Sequence, residues 1–76
     1  MHRYEREFNT LVVLEQRLLN ARSEVGVAEH LVGHGQLDEE IRAIAEALDD
    51  SIALAQRAKH IMLNEWRAAE ASQAAA

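Results

Sequence analysis

Two histidines four residues apart are the first candidates for chemistry in this chain. His30 and His34 have the spacing at which two imidazoles on a helix could bind one metal ion, and Glu29 is adjacent to His30. A catalytic zinc site normally needs a third protein ligand in a fixed geometry. Gly33 lies between the two histidines and is expected to end the helix there, which spoils that geometry. We therefore expect ordinary turn histidines, with no bound metal and no cofactor.

The other polar residues do not form a recognisable catalytic set. Ser23 and Ser72 have no acid and base at a useful spacing, and Ser51 falls among apolar positions. The sequence has no phosphate-binding loop, no dinucleotide-binding glycine pattern and no HExxH pair. The adjacent carboxylates of Asp49 and Asp50 would need an enclosing pocket to tune their pKa values. The sequence predicts no catalytic residues and a protein that is not an enzyme.

Length and composition indicate a small folded chain that needs help to be stable. The 76 residues are 49% hydrophobic and 28% charged, with no cysteine and a formal net charge of −5. A domain of this size buries only about 60% of the surface that its unfolded chain exposes. Without disulfides or cysteine-bound zinc, association is the remaining source of stability. The N-terminal residues lack the apolar core of a secretory signal, and no stretch is apolar enough to span a membrane. We therefore expect a soluble, cytoplasmic protein.

The distribution of helix-breaking residues predicts an all-α fold with two helices. The chain has no proline, and its strongest breaker is the run Gly33-His34-Gly35. Glycine after a helix and acidic residues in the next first turn mark a helix end and a helix start. We predict one domain over residues 1–70, with a first helix at about 3–32, a turn at 33–36 and a second helix at about 37–69. Residues 71–76 are expected to fray.

Each predicted helix carries an apolar row with a mean spacing near 3.5 residues, which keeps one stripe facing a partner helix. If the chain folds back at the glycines, paired residues should have a constant sum of numbers. Pairs such as Ala28 with Ile41 and Leu11 with Ala58 sum to 69, while Phe8 with Met62 and Tyr4 with Trp66 sum to 70. The pattern predicts an antiparallel hairpin. Its seam is predicted to consist of Tyr4, Phe8, Leu11, Leu14, Leu18, Ala21, Val25, Ala28, Val32, Leu37, Ile41, Ile44, Leu48, Ser51, Ala55, Ala58 and Met62.

Apolar residues also flank this seam, where one hairpin cannot cover them. Burying a Leu, Ile or Val side chain contributes about 1.5 to 3 kcal/mol, so their clustering favours association. Two arrangements would cover them: a homodimer that completes a four-helix bundle, or the helices or groove of a different protein. The residues predicted to form this partner or dimer interface are Val12, Val13, Leu19, Ile52, Leu54, Ile61 and Trp66.

Charge is concentrated at the start of the second helix. We interpret this acidic patch as a solvated helix face that could also attract a basic partner. It repels a phosphate backbone, so nucleic acid is not the expected partner, although a dimer could align the few basic residues Arg17, Arg22, Arg57, Lys59 and Arg67. The acidic residues are Asp38, Glu39, Glu40, Glu46, Asp49 and Asp50.

The sequence as a whole predicts a small protein-binding module, such as an adaptor, co-chaperone or inhibitor, that acts through apolar helix faces as a homodimer. Two alternatives stay open. One is a purely structural bundle, in which self-assembly uses all the apolar flanks. The other is a helical regulator that binds nucleic acid. An alanine-rich second helix fits close helix packing under all three readings and does not discriminate between them.

Overall fold

The chain forms a hairpin of two α-helices. The computed structural model describes residues 3–32 and 35–75. Helix α1 spans Arg3–Val32 and helix α2 spans Gln36–Ala75. The two helices pack against each other along their length. The predicted all-helical hairpin is therefore confirmed.

The ends of the helices agree with the sequence prediction at three boundaries and differ at the fourth. Helix α1 begins and ends at the predicted residues, and α2 begins one residue early, at Gln36. Helix α2 continues to Ala75, six residues beyond its predicted end near residue 69. Alanine, glutamate and glutamine have high helix propensities, which favours this extension. The fraying of residues 71–76 stays a prediction. Gly33 and His34, at the centre of the predicted turn, lie outside the described residues.

A glycine in a left-handed conformation leads into the second helix. Gly35 has a φ of 66°, a region that residues with a Cβ rarely adopt. The backbone N–H of Asp38 donates a hydrogen bond to the carbonyl oxygen of Gly35 at 3.3 Å. Asp38 and Glu39 lie in the first turn of α2, where their negative charge interacts favourably with the helix dipole. Together these features set the point at which the chain reverses.

The hairpin is long and only one helix thick. Its principal extents are 63 × 18 × 12 Å and its radius of gyration is 17.7 Å, whereas a compact domain of this length would have a radius of about 11 Å. Within the described residues, only Ile41, Ala45 and Ala55 are buried, at 5 to 8% exposure. A single layer of two helices therefore leaves this chain without a substantial core of its own.

The observed seam follows steps of three and four residues on both helices, as in a coiled coil. Each helix presents one continuous row of buried or half-buried residues to the other. In α1 the row is Tyr4, Phe8, Leu11, Glu15, Leu18, Arg22 and Val25, with Glu7, Ala21 and Ala28 half-buried beside it. In α2 it is Asp38, Ile41, Ala45, Leu48, Ile52, Ala55, Lys59, Met62, Trp66 and Ala69, with Ser51 and Ala58 half-buried beside it.

Four residues predicted for the seam lie outside it. Leu14, Val32, Leu37 and Ile44 are 45 to 55% exposed. Ile52 and Trp66, predicted for a partner interface, are half-buried members of the seam instead. Apolar residues occupy three adjacent rows of α2, which contain Ile44, Ile41 and Ile52. Only two adjacent rows can face α1, and in the structure these are the rows of Ile41 and Ile52.

The register of the two helices also differs from the prediction. Lys59 bonds to Glu15, and Trp66 packs against Phe8; both pairs have residue numbers that sum to 74 rather than to 69 or 70. Trp66 thus packs at a tilt against Phe8, a pair that the prediction did not include. A change of four residues slides one helix along the other by about 6 Å, roughly one turn. This slide allows the charged and aromatic pairs to meet.

Candidate functional site

A lysine–glutamate pair lies in the middle of the seam. The Nζ of Lys59 donates a hydrogen bond to Oε1 of Glu15 at 2.5 Å, and the two side chains are only 26% and 14% exposed. This hydrogen bond, followed by one from the Gln56 side chain, holds the pKa of Glu15 below its ordinary value of 4.5. The pair ties the central turns of the two helices together in one register.

A second ionic contact joins the helices nearer the turn. The Arg22 Nε donates to Oδ1 of Asp49 at 2.9 Å, and its Nη1 lies 4.0 Å from Oε1 of Glu29. Gln56 and Asp49 follow each other at a seven-residue spacing, so they lie on the same side of α2. One side of the hairpin, which we call the polar face, is therefore closed by hydrogen-bonded side chains around Glu15, Arg22, Asp49 and Gln56.

The lowered pKa of Glu15 predicts a specific acid sensitivity. A carboxyl group whose pKa is lowered by folding stabilises the folded state above its unfolded pKa, and that contribution is lost as pH falls through the folded value. We expect Glu15→Gln to lower stability at neutral pH, and the gap between variant and unmodified chain to close as pH falls below about 4.5. Urea unfolding at fixed protein concentration, repeated from pH 7 to pH 3, measures this gap.

Glu46→Gln provides the matched control, because Glu46 is exposed and belongs to none of the ion pairs between the described residues. Its unfolding curves should follow those of the unmodified chain at every pH. A gap for Glu15→Gln that stays constant from pH 7 to pH 3 would contradict the assigned role of the lysine pair.

The opposite side of the hairpin is apolar, and we call it the apolar face. The 100° turn per residue places the residues next to the seam on this side in α1 and α2. Its large side chains account for seven of the eleven large hydrophobic residues that are exposed in the described chain. Its members are the large residues Leu14, Leu31, Val32, Leu37, Ile44, Leu54 and Ile61 and the small residues Ala21, Ala28, Ala47, Ser51 and Ala58.

A shallow groove runs between the helices on the apolar face. Side chains from both helices line it, which shows that these positions of α1 and α2 lie on the same side of the hairpin. Its lining combines leucines from both helices with small residues of α2. The lining residues are Leu11, Leu14, Leu18, Ser51, Leu54, Ala55 and Ala58.

The exposed area of the hairpin is larger than a compact protein of its mass would have. It exposes 5852 Å², against about 4,700 Å² expected for a compact monomer of 8.5 kDa. The excess of about 1,200 Å² is more than the ~800 Å² per partner buried in a standard protein–protein interface. This excess belongs to the whole elongated surface; the apolar face is the part of it on which exposed aliphatic side chains cluster, and such clusters mark interaction sites.

The residues predicted for the partner interface divide among several surfaces. Leu54 and Ile61 lie on the apolar face, Val12 and Leu19 lie towards the polar face, and Val13 lies on the outer edge of α1. Ile52 and Trp66 belong to the seam, as described above. The sequence pattern missed Leu14, Leu37 and Ile44 as surface residues because it assigned them to the seam. The seam residues can be told from the surface residues only when it is known which row of α2 faces α1.

Aromatic side chains lie at the open end of the hairpin. The Phe8 and Trp66 rings are 6.3 Å apart and inclined at 59°, a favourable tilted packing. The Arg3 guanidinium lies 5.2 Å from the centre of the Tyr4 ring, within the range of a cation–π interaction. These contacts close the end of the seam. The apolar face is a more extended surface than this aromatic cluster.

The predicted acidic patch is not one surface in the structure. Asp38 is half-buried at the start of the seam and accepts a hydrogen bond from Arg42 at 3.0 Å, while Asp49 accepts one from Arg22. The other four acids are exposed and point to different sides of α2. Glu39 and Glu46 lie on the polar side, Glu40 borders the apolar face and Asp50 lies on the outer edge.

The described residues also bear on the other candidate sites. Within residues 3–32 and 35–75, no group of three His, Cys, Asp or Glu side chains could hold a metal ion. His34, the second residue of the histidine pair, lies outside the described residues. Neither helix, over its described length, is apolar enough to cross a membrane. No protein-family model, curated protein or solved structure matches this chain.

Proposed function

We propose that this chain is a helical association module, which functions by covering its apolar face with helices of a polypeptide chain. The single observation that carries the proposal is the concentration of exposed aliphatic side chains on that face, opposite a face closed by ionic hydrogen bonds. Burying them would contribute about 25 cal/mol per Å² of apolar area. A hairpin with three buried residues in its described part needs such a contribution.

The shape of the apolar face favours helices as the covering elements. Its small residues Ala21, Ala47, Ser51 and Ala58 alternate with larger ones along the hairpin axis. Ridges of large side chains and grooves over small ones are what helix packing requires. This surface would suit an adaptor, a co-chaperone or an inhibitor as well as a structural bundle, since all of these act by helix packing.

The basic residues give less support to a nucleic-acid-binding role. Arg22 is paired with Asp49 and Lys59 with Glu15, so two of the five candidate phosphate contacts are already neutralised by carboxylates. The formal net charge of −5 acts against a phosphate backbone as well. The apolar face is the better basis for function.

Site-specific photocrosslinking in the native cell tests this proposal. A photoreactive amino acid at position 54 should form a covalent adduct with a protein, because Leu54 lies in the middle of the apolar face and is 64% exposed in the hairpin. The mass of the adduct identifies its partner as a second copy or as another protein. The measurement is made by gel mobility and mass spectrometry of the purified adducts.

The matched control carries the same amino acid at position 50, since Asp50 is exposed on the outer edge of α2 only about one turn away. It should give no protein adduct above background. Equal adduct yields at both positions, or none at position 54, would contradict the proposed association through the apolar face.

A further inference from the structure

We infer that the occupant of the apolar face is a second copy of this chain, packed with its turn at the opposite end so that Arg17 of each copy meets Glu24 of the other. This inference rests on the proposed function and specifies its partner and geometry. The result is a four-helix bundle with a twofold axis perpendicular to the helices. Four observations support it: the exposed area of the hairpin, the self-complementary spacing of α2, the shared midpoint of α1 and the charges of Arg17 and Glu24.

The area fits two copies of one thin layer. Each hairpin is 12 Å thick, and packed helices lie 8 to 10 Å apart, so two layers would make a bundle of ordinary proportions. The excess surface of about 1,200 Å² per chain lies in the range that each partner contributes to a stable interface. A much larger partner is not required to bury it.

The residues of α2 on the apolar face read nearly the same in both directions. Ile44 and Ile61, Ala47 and Ala58, and Ser51 and Leu54 are related about a midpoint between residues 52 and 53. A twofold axis through this midpoint would face isoleucine with isoleucine, alanine with alanine, and the large Leu54 with the small Ser51. Such an isologous contact needs no second kind of surface.

The same axis also relates the residues of α1. Arg17 and Glu24 lie seven residues apart on one side of α1, at the border of the apolar face, about a midpoint between residues 20 and 21. The seam pairs residues of α1 and α2 whose numbers sum to 74, which places the two midpoints at nearly the same height. One axis therefore serves both helices.

Charge complementarity selects the orientation. Neither Arg17 nor Glu24 belongs to any of the five ion pairs between the described residues, and both are exposed. With the turns at opposite ends, the dimer gains two Arg17–Glu24 pairs. Glu40 then comes near Glu65 of the second copy only at the outer ends, where water and salt screen the charges.

The alternative orientation, with both turns at the same end, lacks this complementarity. It sets α1 of one copy against α2 of the other at equal height. Arg17 would then face Ala58, which offers no carboxylate. Glu65 comes near an acid of the second copy at the ends of the hairpin in both orientations, so the missing Arg17–Glu24 pairs are what disfavour this one.

Charge reversal tests both the occupant and the orientation. Sedimentation equilibrium should give a mass of about 17 kDa, twice that of the 8.5 kDa chain. Arg17→Glu and Glu24→Arg should each raise the dissociation constant about tenfold, since each creates two like-charge pairs. The double variant R17E/E24R should restore the original constant. An equimolar mixture of the two single variants should also restore it, because the heterodimer again pairs opposite charges.

The controls Arg57→Glu and Asp50→Arg change the net charge equally on the outer edge of α2 and should leave the constant within about twofold of the original. Circular dichroism verifies that all variants remain helical. A dimer that is insensitive to the single reversals, or is not restored by the double variant or the mixture, would overturn the inferred orientation. A chain that stays monomeric would overturn the second copy as the occupant. In that case a Leu54 crosslink to a different protein would leave the proposed function standing, whereas no crosslink would refute both.

Discussion

Replacing Leu54 and Ile61 with aspartate is expected to convert the dimer into a monomer. Both residues lie on the apolar face and outside the seam, at 64% and 50% exposure in the hairpin. The dimer would bury four such side chains, each losing part of the 1.5 to 3 kcal/mol that full burial contributes. We expect the dissociation constant to rise at least about a thousandfold, as measured by sedimentation equilibrium.

The control for this prediction is Val13→Asp with Val27→Asp. These valines are 49% and 59% exposed, so they match the test residues in exposure, but they lie on the outer edge of α1 away from the apolar face. The control pair should remain dimeric. If both pairs of substitutions lower the mass equally, surface hydrophobicity in general, rather than this face, drives association.

Introducing a glutamate at Ala45 is expected to cause the second large effect, on folding rather than on the interface. Ala45 is 5% exposed and lies in the seam one turn after Ile41. A larger side chain overpacks a closely packed position at a cost of about 1 to 3 kcal/mol. Burial of its charge adds to this cost. We expect a loss of about 3 kcal/mol or more in the free energy of unfolding, measured by urea denaturation at fixed protein concentration.

Ala43→Glu is the matched control, since Ala43 is exposed on the outer side of α2 and only two residues away. Its effect should remain within about 0.5 kcal/mol, as is usual for surface substitutions. The comparison also tests which row of α2 faces α1. Equal effects at positions 43 and 45 would mean that the row containing Ala45 does not face α1.

Helix content and topology could be predicted from the sequence because their causes are local. The absence of proline, the glycines around position 34 and the spacing of apolar residues are sufficient to place two helices and one reversal. Helix α1 begins and ends where these signals indicate. The predicted end of α2 near residue 69 does not coincide with the observed one at Ala75, because an alanine-rich tail can be either frayed or helical when no tertiary contact decides it.

The seam could not be fixed from spacing alone. In α2 the rows containing Ile44 and Ile52 flank the same central row, and each could form a seam with it. The choice depends on α1, where Glu15 and Arg22 occupy seam positions and need partners on α2. The opposite charges of Glu15 and Lys59, whose numbers have the same sum as those of Phe8 and Trp66, were the available signal. An analysis restricted to apolar residues overlooks it.

The membership of the apolar face depends on the same choice of seam. Leu54 and Ile61 could be predicted as interface residues because they lie far from any seam choice. Leu14 and Ile44 could not, because a rotation of about 50° moves them between seam and surface. The polar face is formed by long side chains such as Arg22. This side chain reaches partners on its own helix and on α2, and residue spacing does not specify which partners it contacts.

The solution mass of the unmodified chain shows whether a second copy covers the apolar face. Light scattering on a sizing column, from micromolar to about millimolar loading, detects dimers with dissociation constants in or below this range. We expect about 17 kDa, twice the 8.5 kDa of one chain, over most of this range. A constant mass of 8.5 kDa at every concentration would contradict it.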